Sequence, residues 1–224
     1  MEDIQTERYS EYLAGLTQVL DCLPVEDIQR VEEALLRAWH ERRQIFVMGN
    51  GGSASTASHV ACDLAKNTAS PGVPRMRAIS LNDNMAHFSA HANDDGYGSV
   101  FAEQLRNFVN PGDVVLMIST SGNSPNILEA ARCARQDGAI TIGWTGYEGG
   151  ELSKLVDLSI IVPSDSIEKI EDVHLILGHM ITAATRRAMM QQESALTALP
   201  GAVERMPVSD HSGNRRVLDG KYSS

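Results

Sequence analysis

Residues 49–53 read Gly-Asn-Gly-Gly-Ser and form the first of three clusters whose residue types and spacing could do chemistry. They follow the apolar run 45–48 and precede a helix-compatible segment at 54–67. A strand that turns through glycines into a helix directs backbone N–H groups at one point, beside the positive end of the helix dipole. We expect Ser53 to be the N-cap and a phosphate or sugar oxygen to bind there. An ordinary tight turn is the alternative for the glycines alone. The spacing matches neither GxGxxG nor GxxxxGK[ST], which disfavours a dinucleotide or P-loop nucleotide site.

A second cluster, residues 119–125, reads Ser-Thr-Ser-Gly-Asn-Ser-Pro and follows a strongly apolar run. Several hydroxyls, a glycine and a helix that begins at Pro125 are predicted to face one small volume. Hydroxyl and amide N–H groups can bind a phosphate monoester without a lysine. A serine-rich loop with a single N-cap would explain one of these serines but hardly the whole group. We therefore predict a phosphate-binding loop.

The third cluster is His59 with Asp63, four residues apart on one predicted helix. This spacing places both side chains on the same face, where an imidazole and a carboxylate can hold a metal ion or act as an acid/base pair. A plain hydrogen bond is the simpler alternative. The C-terminal helix offers Glu171, Asp172, His174 and His179 as counterparts. Because Glu171 and His179 lie about 12 Å apart along a straight helix, they could serve one centre only through side-chain reach, a bend or different subunits.

The elements that must position these clusters alternate between strand and helix. Apolar runs predict strands at 45–48, 77–81, 114–119, 140–144 and 158–162. Two helices, at 4–20 and ending near residue 43, precede the first strand, and a long helix opened by an Asp165/Glu168 capping box reaches about residue 191. This alternation predicts an α/β fold with a parallel sheet covered on both faces, whose ligands gather at the carboxyl ends of the strands. Residues 1–192 read as one domain. Residues 193–224 read as a flexible tail, with a latch onto a neighbouring subunit as the alternative.

Composition narrows the function further. The formal net charge of −10 argues against non-specific nucleic-acid binding and against anionic membranes. No apolar run resembles a signal peptide or spans a bilayer, and Cys22, Cys62 and Cys133 form no CxxC pair. We expect a cytoplasmic protein with reduced, buried thiols.

Taken together, these residues resemble the sugar isomerase (SIS) domain and, within it, the phosphoheptose isomerases. The similarity covers roughly residues 5–190. The matching segments are 49–53, 92–94, 118–124, 145–150 and 170–174, with His59, Asp63 and His179. The resemblance implies a three-layer αβα sandwich, usually a homotetramer with active sites between subunits. It also implies a small-molecule substrate, sedoheptulose 7-phosphate, converted to D-glycero-D-manno-heptose 7-phosphate through an enediol.

The resemblance also implies residue roles. Asp63 and His179 would be the acid/base pair. Zinc would bind at the positions that match the family's ligands, His59, Asp63, Glu171 and His179. The substrate would be held by Asn50, Gly51, Gly52, Ser53, Asp63, Asn93, Asp94, Ser119, Thr120, Ser121, Ser124 and Glu171. From the chain alone, Asn93 and Asp94 read only as a polar turn.

Two departures bear on this assignment, because the family usually has glutamate where this chain has Asp63 and glutamine where it has Glu171. Both remain competent ligands, but the shorter carboxylate can misplace a base by an ångström, which costs orders of magnitude in rate. Two other functions stay open: a non-catalytic SIS scaffold that binds a replication initiator protein, and an isomerase of another sugar phosphate. Tightly bound zinc would argue against the scaffold.

Overall fold

The computed structural model describes the backbone of residues 2–197 and the side chains of residues 8–192. The proposed tail, including its latch alternative, lies outside the described residues from position 198 onward. Within the described part, residues 193–197 are helical, so the last helix runs past the boundary predicted at 192. Among the described helices, none is both long and apolar enough to cross a membrane.

The described residues alternate between helices and strands as the apolar runs predict. The strands are β1 Gln44–Gly49, β2 Arg77–Ser80, β3 Val114–Ile118, β4 Ile140–Thr145 and β5 Leu158–Ile161. The α-helices are α1 Glu2–Asp21, α2 Val25–His40, α3 Gly52–Cys62, α4 Met85–Asp94, α5 Val100–Phe108, α6 Pro125–Gln136, α7 Leu152–Leu155 and α8 Ile167–Thr197. A π-helical turn, Asp63–Asn67, continues α3, and a 3₁₀ turn, Tyr97–Ser99, follows α4.

All strand pairs in the described sheet are parallel, and the strand order is β2-β1-β3-β4-β5. The chain leaves β1 for β2 on one side and returns to β3 on the other. The order therefore reverses between β1 and β3, which is the position where open parallel sheets bind ligands. The turns that follow these two strands are the glycine and serine clusters predicted from the sequence.

Two apolar layers confirm the predicted three-layer sandwich. Alternate strand residues such as Val47 and Leu116 face α2, α3 and α8, while Phe46 and Met117 face α5 and α6. All five strand positions of β3 are buried, because a parallel sheet with helices on both faces has no solvated side. α1 joins the first layer through Val19, with Leu16 and Leu20 packed beside it. Its Tyr12 hydroxyl donates to Asp172 of α8 at 2.6 Å, and this hydrogen bond raises the pKa of Tyr12 to about 12.

α3 and α8 lie side by side in the same direction. Gly52 faces Glu171, Val60 faces Gly178, and the π turn that follows α3 contacts α8 through Arg186. The sequence separation between facing residues hardly changes along the pair, as expected for two parallel helices of equal rise. Glycine at 178 permits the approach, because a Cβ there would lie 2.6 Å from Val60 Cγ2.

Several local predictions were wrong. Gly51, with φ 55°, occupies the N-cap position of α3, so Ser53 is already helical and does not cap. The N-cap of α8 is Ser166 rather than Asp165. The Ser166 hydroxyl accepts the Lys169 N–H at 3.5 Å and donates to the Glu168 carboxylate. The thiols of Cys22 and Cys62 are exposed rather than buried, since one follows the end of α1 and the other lies on the outer face of α3.

We predict that Gly178→Ala lowers the free energy of unfolding by about 1–3 kcal/mol, the usual cost of overpacking a tight contact. The added methyl would push Val60 and separate α3 from α8. Urea unfolding measures the change. Gly98→Ala is the matched control, because a Cβ at Gly98 meets nothing within 4 Å. Val60→Ala should relieve most of the Gly178→Ala cost, and equal costs for the two glycine variants would mean that the helices are not tightly apposed.

Candidate active site

Two open helix N-termini meet at the carboxyl ends of neighbouring strands. Gly49 of β1 pairs with Ile118 of β3, so the turns leading into α3 and α6 start side by side. Neither helix receives a side-chain cap among the described residues. The N–H groups of Gly52 and Ser53 at the start of α3 can therefore bind an anion. In α6 the donor is the N–H of Asn126, because Pro125 has none and the Ile127 N–H is bonded to Ser124 and Asn126.

An amide bridge holds the two turns together. Asn50 and Asn126 exchange two hydrogen bonds of 2.9 Å between their side-chain amides, and the Tyr97 hydroxyl donates to Asn50 Oδ1 at 2.9 Å. Asn126 is 1% exposed, and its Oδ1 also accepts the Ile127 N–H. The Asn50 side chain, predicted to bind sugar, is thus committed mainly to this bridge.

The serine loop follows β3. Ser119 is buried, and its hydroxyl lies 3.4 Å from that of Ser124, the N-cap position of α6. Ser121 is exposed and accepts the Asn123 N–H at 3.2 Å, while Thr120 is half-buried. Gly122 allows the turn, because its φ of 64° suits glycine and a Cβ there would overlap the Gly149 carbonyl. The hydroxyls of Ser119 and Ser124 thus lie close together at the start of α6.

Glu171 lies against the glycine turn. A Cβ built on Gly52 would be 2.4–2.5 Å from both carboxylate oxygens of Glu171, so the carboxylate rests directly on the first residue of α3. This contact requires glycine at position 52. It also puts a negative charge beside a helix N-terminus, which is a favourable position.

Farther along the same helix pair, His59, Asp63 and His179 come together. The two Nε2 atoms are 3.0 Å apart, and Asp63 Oδ2 lies 3.4 Å from His59 Nε2 and 3.7 Å from His179 Nε2. The Asp63 side chain is 11% exposed, whereas the imidazoles of His59 and His179 are 46% and 53% exposed. A buried carboxylate therefore stands behind two accessible imidazoles, which leaves their outer side open to a substrate.

This trio has the donor set and spacing of a metal site. In the described part of the chain it is the group of His, Cys, Asp or Glu residues that could hold an ion. Its three ligand-atom separations are close to the roughly 3.4 Å expected between ligands of a tetrahedral ion with bonds of about 2.1 Å. Glu171 lies apart, because it faces Gly52 two helical turns before the level of His59.

The remaining predicted residues lie elsewhere around the site. Asn93 and Asp94 form the exposed last turn of α4, where the Asn93 amide donates to Asp94 at 2.7 Å. The nearby segment reaches the site through Tyr97, which the sequence analysis did not select. Asn126 and Asn67 were missed as well. A signal existed for Asn126, since an amide directly after the proline of a serine loop faces the same volume, but nothing in the sequence marked Tyr97 or Asn67.

His174 belongs to the core rather than to the site. It is 0% exposed, its Nε2 lies 3.2 Å from the Thr145 carbonyl, and its ring faces Trp144. Burial lowers the pKa of His174 to about 4. The imidazole is therefore neutral at physiological pH and donates through Nε2–H, which helps fix α8 on the end of β4.

Comparisons with known proteins show the family and the fold of this chain. A family model for the SIS domain matches residues 8–146. Phosphoheptose isomerase of Burkholderia pseudomallei (strain 1710b) is 36% identical over 168 residues, which span 74% of this chain and 84% of the relative. The Mycobacterium tuberculosis (strain ATCC 25177 / H37Ra) protein of the same name is 35% identical over 184 residues, or 82% and 93% of the two chains.

Solved structures give the same result. Phosphoheptose isomerase from Neisseria gonorrhoeae superposes with a TM-score of 0.76 at 28% identity, over 82% of this chain and 99% of that one. The protein from Francisella tularensis has a TM-score of 0.77 at 28% identity, with coverages of 84% and 99%.

We predict that His174 makes stability fall with acidity. Its folded pKa is about 4, below the ordinary 6.5, so the unfolded chain binds a proton between these values while the folded protein does not. The contribution of neutral His174 to the free energy of unfolding is complete above about pH 6.5 and is lost as the pH falls toward 4. The total loss is roughly 3 kcal/mol. Urea unfolding of wild type and His174→Phe from pH 7.5 to 4.5 measures it. In the variant the Thr145 carbonyl still accepts a hydrogen bond from the Val162 N–H. If the free energies of unfolding of the two proteins changed with pH in parallel, His174 would not be the group responsible.

Proposed function

This chain belongs to the phosphoheptose isomerase family of SIS domain proteins, and we propose that it interconverts sedoheptulose 7-phosphate and D-glycero-D-manno-heptose 7-phosphate. The observation that carries the proposal is the His59–Asp63–His179 trio. His59 lies on α3, which starts at the sheet's switch point, Asp63 lies in the turn that continues α3, and His179 lies on α8. α3 thus connects groups able to transfer protons with the strand ends where the groups able to bind a phosphate lie.

The phosphate binds, in this proposal, at the serine loop. The hydroxyls of Ser119, Thr120, Ser121 and Ser124 and the uncapped N-terminus of α6 supply donors without a positive side chain. The neighbouring α3 N-terminus suits the phosphate less, because Glu171 already puts a carboxylate there. The phosphate end of the substrate is therefore assigned to α6.

The sugar hydroxyls then lie along the glycine turn. Gly51, Gly52 and Ser53 present backbone N–H groups, and Glu171 offers an acceptor to a hydroxyl. Asn93 and Asp94, at the end of the helix that precedes Tyr97, are placed at the rim. Gly52 and His59 are separated by about 10 Å along α3, a span that suits an open-chain sugar phosphate with its reactive carbons at the trio.

Proton transfer is assigned to Asp63 and His179. One group removes the proton from the hydroxyl-bearing carbon next to the carbonyl, which gives an enediol. The neighbouring carbon, which carried the carbonyl, then receives a proton. Its oxygen gains a proton and the oxygen of the first carbon loses one, so atoms and electrons balance without a redox cofactor. The imidazole of His179 is exposed, and imidazole is the side chain that most often serves as a general acid or base.

We place a divalent ion, zinc by family resemblance, on His59, Asp63 and His179, whose atoms have suitable separations. Because an atom bound to the ion cannot carry a proton at the same time, Asp63 or His179 transfers a proton only while its own ligand atom is released from the ion. Such an ion, when bound, polarises a substrate oxygen and offsets the negative charge of an enediolate. Glu171 is assigned to the sugar rather than to the ion, because its carboxylate lies on Gly52.

A homotetramer with sites near subunit contacts completes the proposal. Its support within the described residues is a set of exposed apolar side chains on α1 and α8, namely Tyr9, Leu13, Met180 and Met190. Met180 directly follows His179, so a subunit that covered this face would border the trio.

We expect the purified protein to convert sedoheptulose 7-phosphate to an aldose phosphate. NMR spectroscopy of a panel of pentose, hexose and heptose phosphates incubated with the protein measures this conversion. His179→Ala should lower kcat by about 10²–10⁴-fold, the usual worth of general acid–base catalysis, while the protein stays folded. His40→Ala, at the end of α2, is the control. Turnover of a shorter sugar alone would reassign the substrate, and no turnover of any sugar phosphate would refute the isomerase.

We expect Ser121→Ala to raise KM for the sugar phosphate by roughly 10- to 150-fold, because hydrogen bonds to charged groups contribute about 1.5–3 kcal/mol. The effect should shrink for a substrate analogue without phosphate. Steady-state kinetics measure both, with Thr17→Ala on the exposed face of α1 as the control. An unchanged KM would place the phosphate elsewhere.

A further inference from the structure

The helix that carries His59 and Asp63 changes its winding at Asp63. α3 ends at Cys62, and Asp63–Asn67 forms a π-helical turn. Single π turns within helices are uncommon and frequently accompany functional sites. Here the first and last residues of the turn are joined, because the Asn67 side-chain amide donates to Asp63 Oδ1 at 2.5 Å.

Because of this hydrogen bond, the two carboxylate oxygens of Asp63 have different partners. Oδ1 is taken by Asn67, while Oδ2 is the oxygen that lies 3.4 Å from His59 Nε2 and 3.7 Å from His179 Nε2. A carboxylate held by one oxygen cannot rotate freely about its terminal bond. The other oxygen therefore stays directed at both imidazoles.

Asn67 is itself anchored to the neighbouring helix. The Arg186 guanidinium donates to the Asn67 carbonyl at 3.4 Å. Arg186 lies seven residues after His179, two turns along α8 and on the same side. One helix thus positions the imidazole of His179 and the residue that holds Asp63.

We propose that Asn67 is a positioning residue that fixes Asp63 as a single-oxygen ligand. It thereby allows the short aspartate side chain to bind the ion at this position. The inference rests on the proposed function and deepens its account of the ion site. The aspartate side chain is shorter than that of glutamate, so fewer of its conformations bring the carboxylate close to the histidines. Fixing the orientation of the carboxylate compensates for the shorter side chain. Partners that orient a ligand in this way typically change metal affinity by 10- to 100-fold when removed.

The test compares Asn67→Leu, which removes the amide donor at similar volume, with Asn67→Gln, which keeps it on a longer stem. Lys66→Ala is the control, because Lys66 is an exposed neighbour in the same turn. Each full-length protein is stripped with a chelator and titrated with Co²⁺, whose visible spectrum reports ligand geometry. Steady-state kinetics with the sugar phosphate and thermal unfolding accompany the titrations.

We expect Asn67→Leu to bind Co²⁺ about 10- to 100-fold more weakly, with an altered cobalt spectrum. Its kcat should fall while KM changes little, since Asn67 contacts Asp63, which is assigned to proton transfer, and none of the residues assigned to the phosphate or the sugar hydroxyls. Asn67→Gln should recover part of both losses, and Lys66→Ala should match wild type.

Wild-type Co²⁺ affinity and spectrum in Asn67→Leu would overturn the inference, as would absence of Co²⁺ binding by the wild type. A loss that Asn67→Gln fails to recover, accompanied by lower thermal stability, would reduce Asn67 to a structural role and also count against it. Failure of the proposed function is a separate outcome: the wild type would then bind Co²⁺ in an Asn67-dependent manner and isomerise no sugar phosphate.

Discussion

The parallel contact between α3 and α8 is the constraint on which the rest of the site depends. Gly178 lets α8 approach Val60, and facing residues keep nearly the same sequence separation from Gly52 to Asn67. Because both helices rise equally per residue, the two ends of the pair are held at a set distance. The glycine turn with Glu171 lies at one end, and the imidazole–carboxylate trio lies farther along.

The sheet determines where this helix pair begins. The strand order reverses between β1 and β3, so α3 and α6 leave the sheet on opposite faces from adjacent strand ends. Either helix N-terminus could therefore attract an anion. Glu171 distinguishes the two, since a carboxylate at the start of α3 leaves the start of α6 as the more favourable place for a phosphate.

Much of this arrangement follows from the sequence. Strands buried on both faces show as apolar runs, and the five predicted runs coincide with β1 to β5 to within one residue at each end. The His59/Asp63 pair follows from helical periodicity. The position of Glu171 does not, because it depends on the register between two helices more than a hundred residues apart. The exposure of Cys62 depends on which face of α3 the sheet covers, and the N-cap at Gly51 depends on a φ of 55° that glycine merely permits.

The hydrogen bond across the π turn, rather than a displacement of Asp63, explains why the shorter carboxylate is compatible with this site. Asp63 keeps α-helical dihedral angles, and its N–H donates to the His59 carbonyl, so the two residues share a face as in a regular α-helix. The winding changes only after Asp63, over the residues that lead to Asn67. The Asn67 amide then donates to Asp63 Oδ1 and fixes the carboxylate. An amide donor thus supplies the orientation that a longer side chain obtains through reach.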